Sequence, residues 1–448
     1  MNSLTSRQRK IVFALSILVL LAPIVYLGAP LSEDVQPGTK TGVTGGRLAR
    51  MRHEQELGES TLGNIDPSSA AANLMLLGLR GLAASVLHQS AIDYQERKDW
   101  GKLKTTVDSI LLLQPHYVEV WKFQGWNLAF NVSREWDRVD DRFYWVKEGL
   151  KFLQKGTDRN QTATILFHNV GEFVGRKIGY SDEKKYFRRF FLSDPEENKY
   201  GGGADPVVNP ESQDNYLVAR DWFQKANELD DNYPVSGMTR EFFRKSPTQA
   251  LFDYATAVTS EGEFQNSIDA WAEASQEWRE VFGNEIFEAR DGMTYKLYSL
   301  NKPEELEEMA IQNGVTLSLQ HHMVNQRVKM VNYTFWQQVA DCEQDPVTVE
   351  ARKAIYQGKQ AYLDADLTLA LELFEKGIAK TAEMLERHPQ VNGHDDTIMN
   401  AMLAVLYWME IHKLNGTSPP ANYPLKQFVA KNRMYNRDVE TMFLRETN

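Results

Sequence analysis

Among 448 residues there is a single cysteine, Cys342. That excludes an intrachain disulfide, a CxxC redox pair and any cysteine-built zinc cluster. Phosphate-binding glycine motifs are missing as well. No GxxxxGK[ST] occurs, and GVTGGR at 42–47 sits in a glycine-rich stretch with no strand before it. Neither a GxSxG elbow nor an HExxH helix is present. Basic charge is scarce, with 50 Lys and Arg against 61 Asp and Glu, a net charge of −11. So acidic a chain lacks the cationic surface that displaces counterions, and no nucleic-acid partner is expected. These absences remove the common routes to catalysis. The expectation is a non-enzyme with no catalytic residue, cofactor or metal site.

What is present excludes disorder, since 42% of residues are apolar and 11% aromatic. A chain of this length outgrows one compact core, so an elongated array or two domains is expected. Charge is unevenly spread. Residues 1–52 hold seven Lys or Arg against Glu33 and Asp34, and all the net acidity lies beyond them.

The segment IVFALSILVLLAPIVYLGA, residues 11–29, carries no charge. As a helix it spans roughly 28 Å at about 1.5 Å per residue, enough for a bilayer core. Arg7, Arg9 and Lys10 precede it. The bias of basic residues toward the cytoplasm then makes 1–10 a cytoplasmic tail and puts the bulk of the chain outside. A cleaved signal peptide is the competing reading, but Leu27 and Pro30 flank a cut after Ala29 poorly. Residues 30–68, with six glycines and prolines at 30, 37 and 67, read as a flexible linker.

From about residue 69 apolar residues recur at three- and four-residue spacing, the mark of helices, with no long alternating strand pattern. Some helices repeat. From Ala84 a 34-residue unit places Leu87, Ala91 and Tyr94 on a first helix. Leu103, Val107 and Ile110 follow on a second, and Pro115 closes the unit. One period on, Trp121, Gly125 and Leu128 take the same places. Leu251, Tyr254, Ala255 and Val258 form another face, broken by Gly262 and answered by Trp271 and Ala274. Ala354, Gly358 and Ala361 lead to Ala370, Phe374 and Gly377, and a half-unit holds Ala219, Phe223 and Ala226.

This pattern of large, small and seam-filling residues resembles the tetratricopeptide-repeat (TPR) family over about two-thirds of residues 69–448. The match is degenerate, with Ser90, Ser267 or Gln124 at some small positions. The fold it implies is all-α, a tetratricopeptide-like α-α superhelix, or helical-hairpin solenoid, behind one N-terminal transmembrane helix. The loop insert 192–212, with three prolines and the glycines 201–203, interrupts it as a functional or disordered loop. NKPEELEEM at 301–309 reads as a helix start with Asn301 as cap. More narrowly, GLRGLAASVLHQSAIDYQERKDW, LQPHYVEVWKFQGWNLAFNVS, VNYTFW and ALELFEKGIAK resemble a group of membrane-anchored repeat proteins of planctomycete-type bacteria. That resemblance implies a bacterial inner membrane with the bulk of the chain periplasmic.

Candidate chemistry is thin. His168 and Glu172 lie four apart on one helix face without a signalled third ligand, and the adjacent His321 and His322 point to different faces. Asp395 and Asp396 suit a helix N-terminus. Glu135, Asp137, Asp140 and Asp141 read as a solvated acidic segment. The Asn-x-Ser/Thr sites at Asn131, Asn160, Asn332 and Asn415 read as chance. Where the family grips an acidic carboxylate, this chain has Ser85, Gln89, Glu119, Phe123, Gln249, Asp253, Arg352 and Tyr356. Only Arg352 is basic, which disfavours an acidic-tail ligand.

The aromatic helix around Trp121 is more informative. Trp121, Gly125 and Leu128 share one face, while Phe123, Trp126 and Phe130 share the opposite one. Either a helix or the 132–145 segment covers that second face, or it is a groove for an apolar peptide or lipid. Gln124, Asn127 and Asn131 form a third stripe, expected to hydrogen-bond nearby backbone or loop groups. The functional expectation is a membrane-anchored, extracytoplasmic scaffold for an unknown protein partner. A lipid or small-hydrophobe binder using the aromatic groove is the alternative, and an enzyme with an unrecognised site the third.

Overall fold

The computed structural model describes residues 80–235 and 237–447. The basic tail, the apolar segment 11–29 and the linker 30–68 lie outside these residues. Among the described residues no helix is long and apolar enough to cross a membrane. Helix dominates, as the three-and-four periodicity requires, and one short ribbon interrupts it. In that ribbon β1 (Phe287–Glu288) pairs antiparallel with β2 (Thr294–Tyr295). The chain forms two compact units.

The first unit holds residues 80–173, 181–210 and 228–235. Helices α1 (Arg80–Glu96) and α2 (Trp100–Leu113) form a hairpin. Its turn is sharp because Lys98 adopts the left-handed backbone (φ 56°), and Asp99 caps α2 by accepting from the Lys102 amide at 3.3 Å. Ala84 and Ala91 bury against Leu103, Val107 and Ile110, with Leu87 and Tyr94 packed alongside half-buried.

Helices α3 (Val118–Trp126) and α4 (Val139–Arg159) approach through a glycine seam. A Cβ on Gly125 would lie 2.6 Å from Leu153 Cγ, one on Gly149 2.7 Å from the Gly125 carbonyl, and one on Gly156 3.0 Å from the Trp121 ring. Gly125 and Gly149 therefore mark a point of backbone contact. Gly149→Ala is expected to cost about 1–3 kcal/mol through overpacking. Gly125→Ala should cost less, because its closest neighbour is a side chain, buried Leu153, and the nearest backbone atom, the Gly149 carbonyl oxygen, is 3.3 Å away. Hydrogen exchange across α3 and α4 checks the order, and equal loss of protection in the two variants would refute it.

Helices α5 (Thr164–Glu172), α6 (Lys184–Leu192) and α7 (Glu197–Tyr200) complete this unit. The insert around α7 is pinned by a buried ionic cluster. Lys147 Nζ lies 2.6 Å from Asp194, 2.8 Å from Glu196 and 3.5 Å from Asp205, and Lys151 lies 2.7 Å from Asp205. The side chains of Lys147, Asp194 and Asp205 are each 1% exposed. Tyr200 donates its hydroxyl to Asp205, and its ring lies 4.6 Å from Lys147 Nζ. Of the two expectations for 192–212, functional loop or disorder, disorder does not hold. The proline- and glycine-rich composition hid carboxylates whose partners lie on α4, over 40 residues earlier.

The second unit holds residues 174–180, 211–227 and 237–447. Helix α8 (Asn215–Asp230) ends in the first unit, and its Ala219, Phe223 and Ala226 are buried. The short α9 (Arg240–Arg244) leads into α10 (Ser246–Ser260) and α11 (Phe264–Glu277), a hairpin turned at Gly262 (φ 87°). Leu251, Ala255, Val258, Trp271 and Ala274 are buried between them. Helices α12 (Pro303–Gln312), α13 (Leu317–Met330) and α14 (Tyr333–Glu343) pack onto the same core. Asn301 does not cap α12. It ends a tight 3-10 turn, Leu297–Asn301, and Lys302 stands at the cap position with no side-chain bond.

A further hairpin joins α15 (Pro346–Leu363) to α16 (Leu367–Arg387), where a Cβ on Gly358 would sit 3.1 Å from Phe374 and one on Gly377 2.7 Å from Ile355. Helix α17 (Asp395–Leu414), short α18 (Lys426–Lys431) and α19 (Asn436–Thr447) close this core around Tyr407, Trp408 and Ile411.

Candidate functional site

The strongest sequence candidate, the second face of α3, is divided by the fold. Trp121 is the inner anchor. Its indole donates to the Pro115 carbonyl at 2.8 Å, and its ring lies 4.8 Å from that of Phe152. Leu128 is half-buried. Phe123 does not line a groove beside Trp126. It packs toward α1, edge-on to His88 at 6.1 Å, and joins the cluster of Ala84, Ala91 and Val120. Phe123 thus packs apart from Trp126 and Phe130. The helix-wheel argument grouped Phe123 with Trp126 and Phe130, but α1 covers only the Phe123 side.

Beyond Trp126 the helix widens into a π turn, Asn127–Asn131, then tightens into a 3-10 turn, Val132–Glu135. Widening of this kind re-aims side chains and frequently marks functional positions. Trp126, 46% exposed, stacks on Phe130 with ring centroids 5.5 Å apart and planes 15° from parallel. Phe130 in turn meets Phe173 edge-on at 5.6 Å. Phe173, missed by sequence reasoning, itself begins a second π turn, Phe173–Ile178. The segment 132–145 does not cover Trp126. Its first four residues end the helix, Trp136 is exposed and extended, and Val139 opens α4.

The amide stripe differs from expectation. Asn131 donates to Asn127 Oδ1 at 2.8 Å, yet the Asn127 donor, Nδ2, is buried without a protein partner, as is the acceptor Gln124 Oε1. Such groups cost free energy unless water or a ligand meets them. Asn131 also lines an open cleft of about 520 Å³ with Ile92, Gln95, Trp100 and Arg134. Its rim is tied by a 2.7 Å ion pair between Lys98 and Glu135. That pair uses Glu135, one of the acids read as solvated. Arg138 pairs with Asp140 and, at 3.9 Å, with Asp141.

His168 is buried, while His321 and His322 are exposed. Among the described residues no group of three or more His, Cys, Asp or Glu is placed to hold a metal ion. Asp395 and Asp396 open α17, and His394, whose pKa burial lowers, packs on Phe335 at 4.4 Å. Arg352 is spent on Glu343 at 2.6 Å. Asn160 is buried and donates to the Pro115 and Gly156 carbonyls, so it acts as a structural clip between α4 and the turn before α3. No protein-family model matches the chain, and no curated protein matches it.

Proposed function

We propose that this chain is a membrane-anchored, extracytoplasmic scaffold of the tetratricopeptide-like kind, whose helical hairpins form a solenoid that binds a protein partner. The observation that carries the reading is the asymmetry of α3. One face is committed to the Gly125–Gly149 seam, while Trp126 stacks on Phe130 yet stays half in water. Tryptophan so placed is the residue type that anchors protein interfaces. The hairpins α1/α2, α3/α4, α10/α11 and α15/α16 support the repeat reading, since each buries small residues where a repeat needs close approach. Phe123, turned toward His88, leaves a patch at Trp126 and not an enclosed groove, which favours a protein partner over a lipid guest.

Photocrosslinking in the membrane, with the reactive residue at 126, tests this. The expected result is one discrete protein adduct that Phe130→Ala removes, while the same probe at exposed Leu319 gives none. Lipid adducts alone would move the reading to the hydrophobe binder, and no adduct from 126 would overturn both.

A further inference from the structure

Helix α6 reads KKYFRRFFL and has no acid within it, in a chain that is net acidic. At 100° per residue, Phe187 and Phe191 fall on one face and Leu192, Lys185, Arg189 and Tyr186 within roughly 120° on the other. The fold follows that division. Phe187 is buried against Phe143 of α4 with centroids 5.6 Å apart, and the Phe191 carbonyl accepts from buried Asn209 at 3.0 Å. On the outer face Tyr186 is 47% and Leu192 41% exposed, beside exposed Lys185 and Arg189, and Lys184 is exposed at the helix start. Among the described residues no carboxylate comes within ion-pair distance of those three cations. Of the neighbouring acids, Glu183 pairs with Arg142 at 2.6 Å and Asp194 and Glu196 pair with Lys147, while Asp182 and Glu197 are exposed and lie beyond ion-pair distance of the α6 cations. The Arg189 guanidinium lies over the rings of Tyr186 and Phe190, at 5.8 and 5.6 Å, which keeps cation and aromatic edge together on the outer surface.

We infer that the outer face of α6 is a docking surface for an anionic lipid bilayer, with Lys185 and Arg189 at the phosphates and Tyr186 and Leu192 at the acyl boundary. Charge complementarity selects the occupant. Unpaired cations attract anionic headgroups, and an amphipathic ring and an aliphatic side chain between them suit the interface, where one end is wet and the other apolar. An acidic polypeptide would satisfy the cations but leave Leu192 unused. The surface needs no contribution from residues 11–29 and goes beyond the scaffold reading. With the chain also tethered, docking would orient the first unit against the bilayer.

The test uses the full chain in vesicles, with Leu192→Cys carrying an environment-sensitive fluorophore and lipid-borne nitroxide as quencher. Cys342 does not compete, since burial pushes its thiol up to about 11. In phosphatidylcholine vesicles containing about a third phosphatidylglycerol, the label should be quenched at low salt and released at high salt. Adding Lys185→Gln and Arg189→Gln should lower the ratio of docked to free label about thirtyfold, the equivalent of about 2 kcal/mol at 1.4 kcal/mol per tenfold. Equal quenching in pure phosphatidylcholine, quenching indifferent to the two substitutions, or no quenching would each overturn the inference. So would a label that ignores lipid but responds to polyglutamate. Flotation with pure phosphatidylcholine vesicles reports the 11–29 anchor separately, so failure of one reading leaves the other standing.

Discussion

Trp278→Ala is expected to be the most damaging single substitution in the second unit. Trp278 is fully buried where α11 runs into a π turn, Trp278–Phe282. It stacks on Tyr333 of α14, centroids 5.1 Å apart and planes 16° from parallel, and meets Phe252 of α10 edge-on at 5.4 Å. The two residues also exchange hydrogen bonds. The Trp278 indole donates to the Tyr333 carbonyl at 2.9 Å, and the Tyr333 hydroxyl donates to the Trp278 carbonyl at 3.1 Å. Truncation removes the ring, leaves a cavity and takes one of two donors from a carbonyl that opens α14. The first two effects cost about 3–5 kcal/mol, and the third about 0.5–1.5 kcal/mol. Trp278→Phe keeps most of the volume and should lose only the smaller share. With two compact units a single melting temperature is poorly defined, so hydrogen exchange across 264–282 and 333–343 is the better measurement. Unchanged protection in the alanine variant would refute the lock.

Lys147→Met should be the counterpart in the first unit. Methionine fits the stem of the side chain but leaves Asp194 buried without its cation, and breaking one side of a buried pair costs about 3–5 kcal/mol. Exchange should rise across 192–212 before it rises in α1 and α2. Adding Asp194→Asn should recover part of the loss, because the amide removes the stranded charge and its oxygen still accepts from the Glu196 amide, now at 2.9 Å from Asp194 Oδ1. If the double variant is no better than the single one, stranded charge is not the cause.

Acid probes the same cluster. Burial by itself would raise the Asp205 pKa, but hydrogen bonds from Lys151 and Tyr200 outweigh it and hold the carboxyl below 3.8. The hydrogen bond from Lys147 holds Glu196 below 4.5. Carboxyls depressed in the folded state contribute stability that is complete above their ordinary values and lost as pH falls through the folded ones. The insert should therefore stay closed at neutral pH and loosen only below about pH 4. In Lys147→Met that acid dependence should shrink.

Local physics was legible where neighbours in sequence are neighbours in space. The hairpin turn at Gly262, the closing role of Pro115 and the small positions Ala91, Gly125, Ala255 and Gly358 follow from helical period and residue size. The amphipathic character of α6 was equally present in KKYFRRFFL, as a run of cations interleaved with aromatics. The ionic cluster was not legible, because Lys147 on α4 meets Asp194 and Asp205 only after the chain doubles back. The same holds for Phe173 against Phe130, two aromatics more than 40 positions apart.

The sequence by itself determined that these residues form helices, which of them pair as hairpins, and that no familiar catalytic motif is present, because each of these is set within a short stretch of chain. Only the tertiary structure decided which side of the aromatic helix stays open. A helix wheel assigns Phe123, Trp126 and Phe130 to one face, but which part of that face meets water depends on α1 packing over Phe123 and on the π turn that brings Phe130 beneath Trp126.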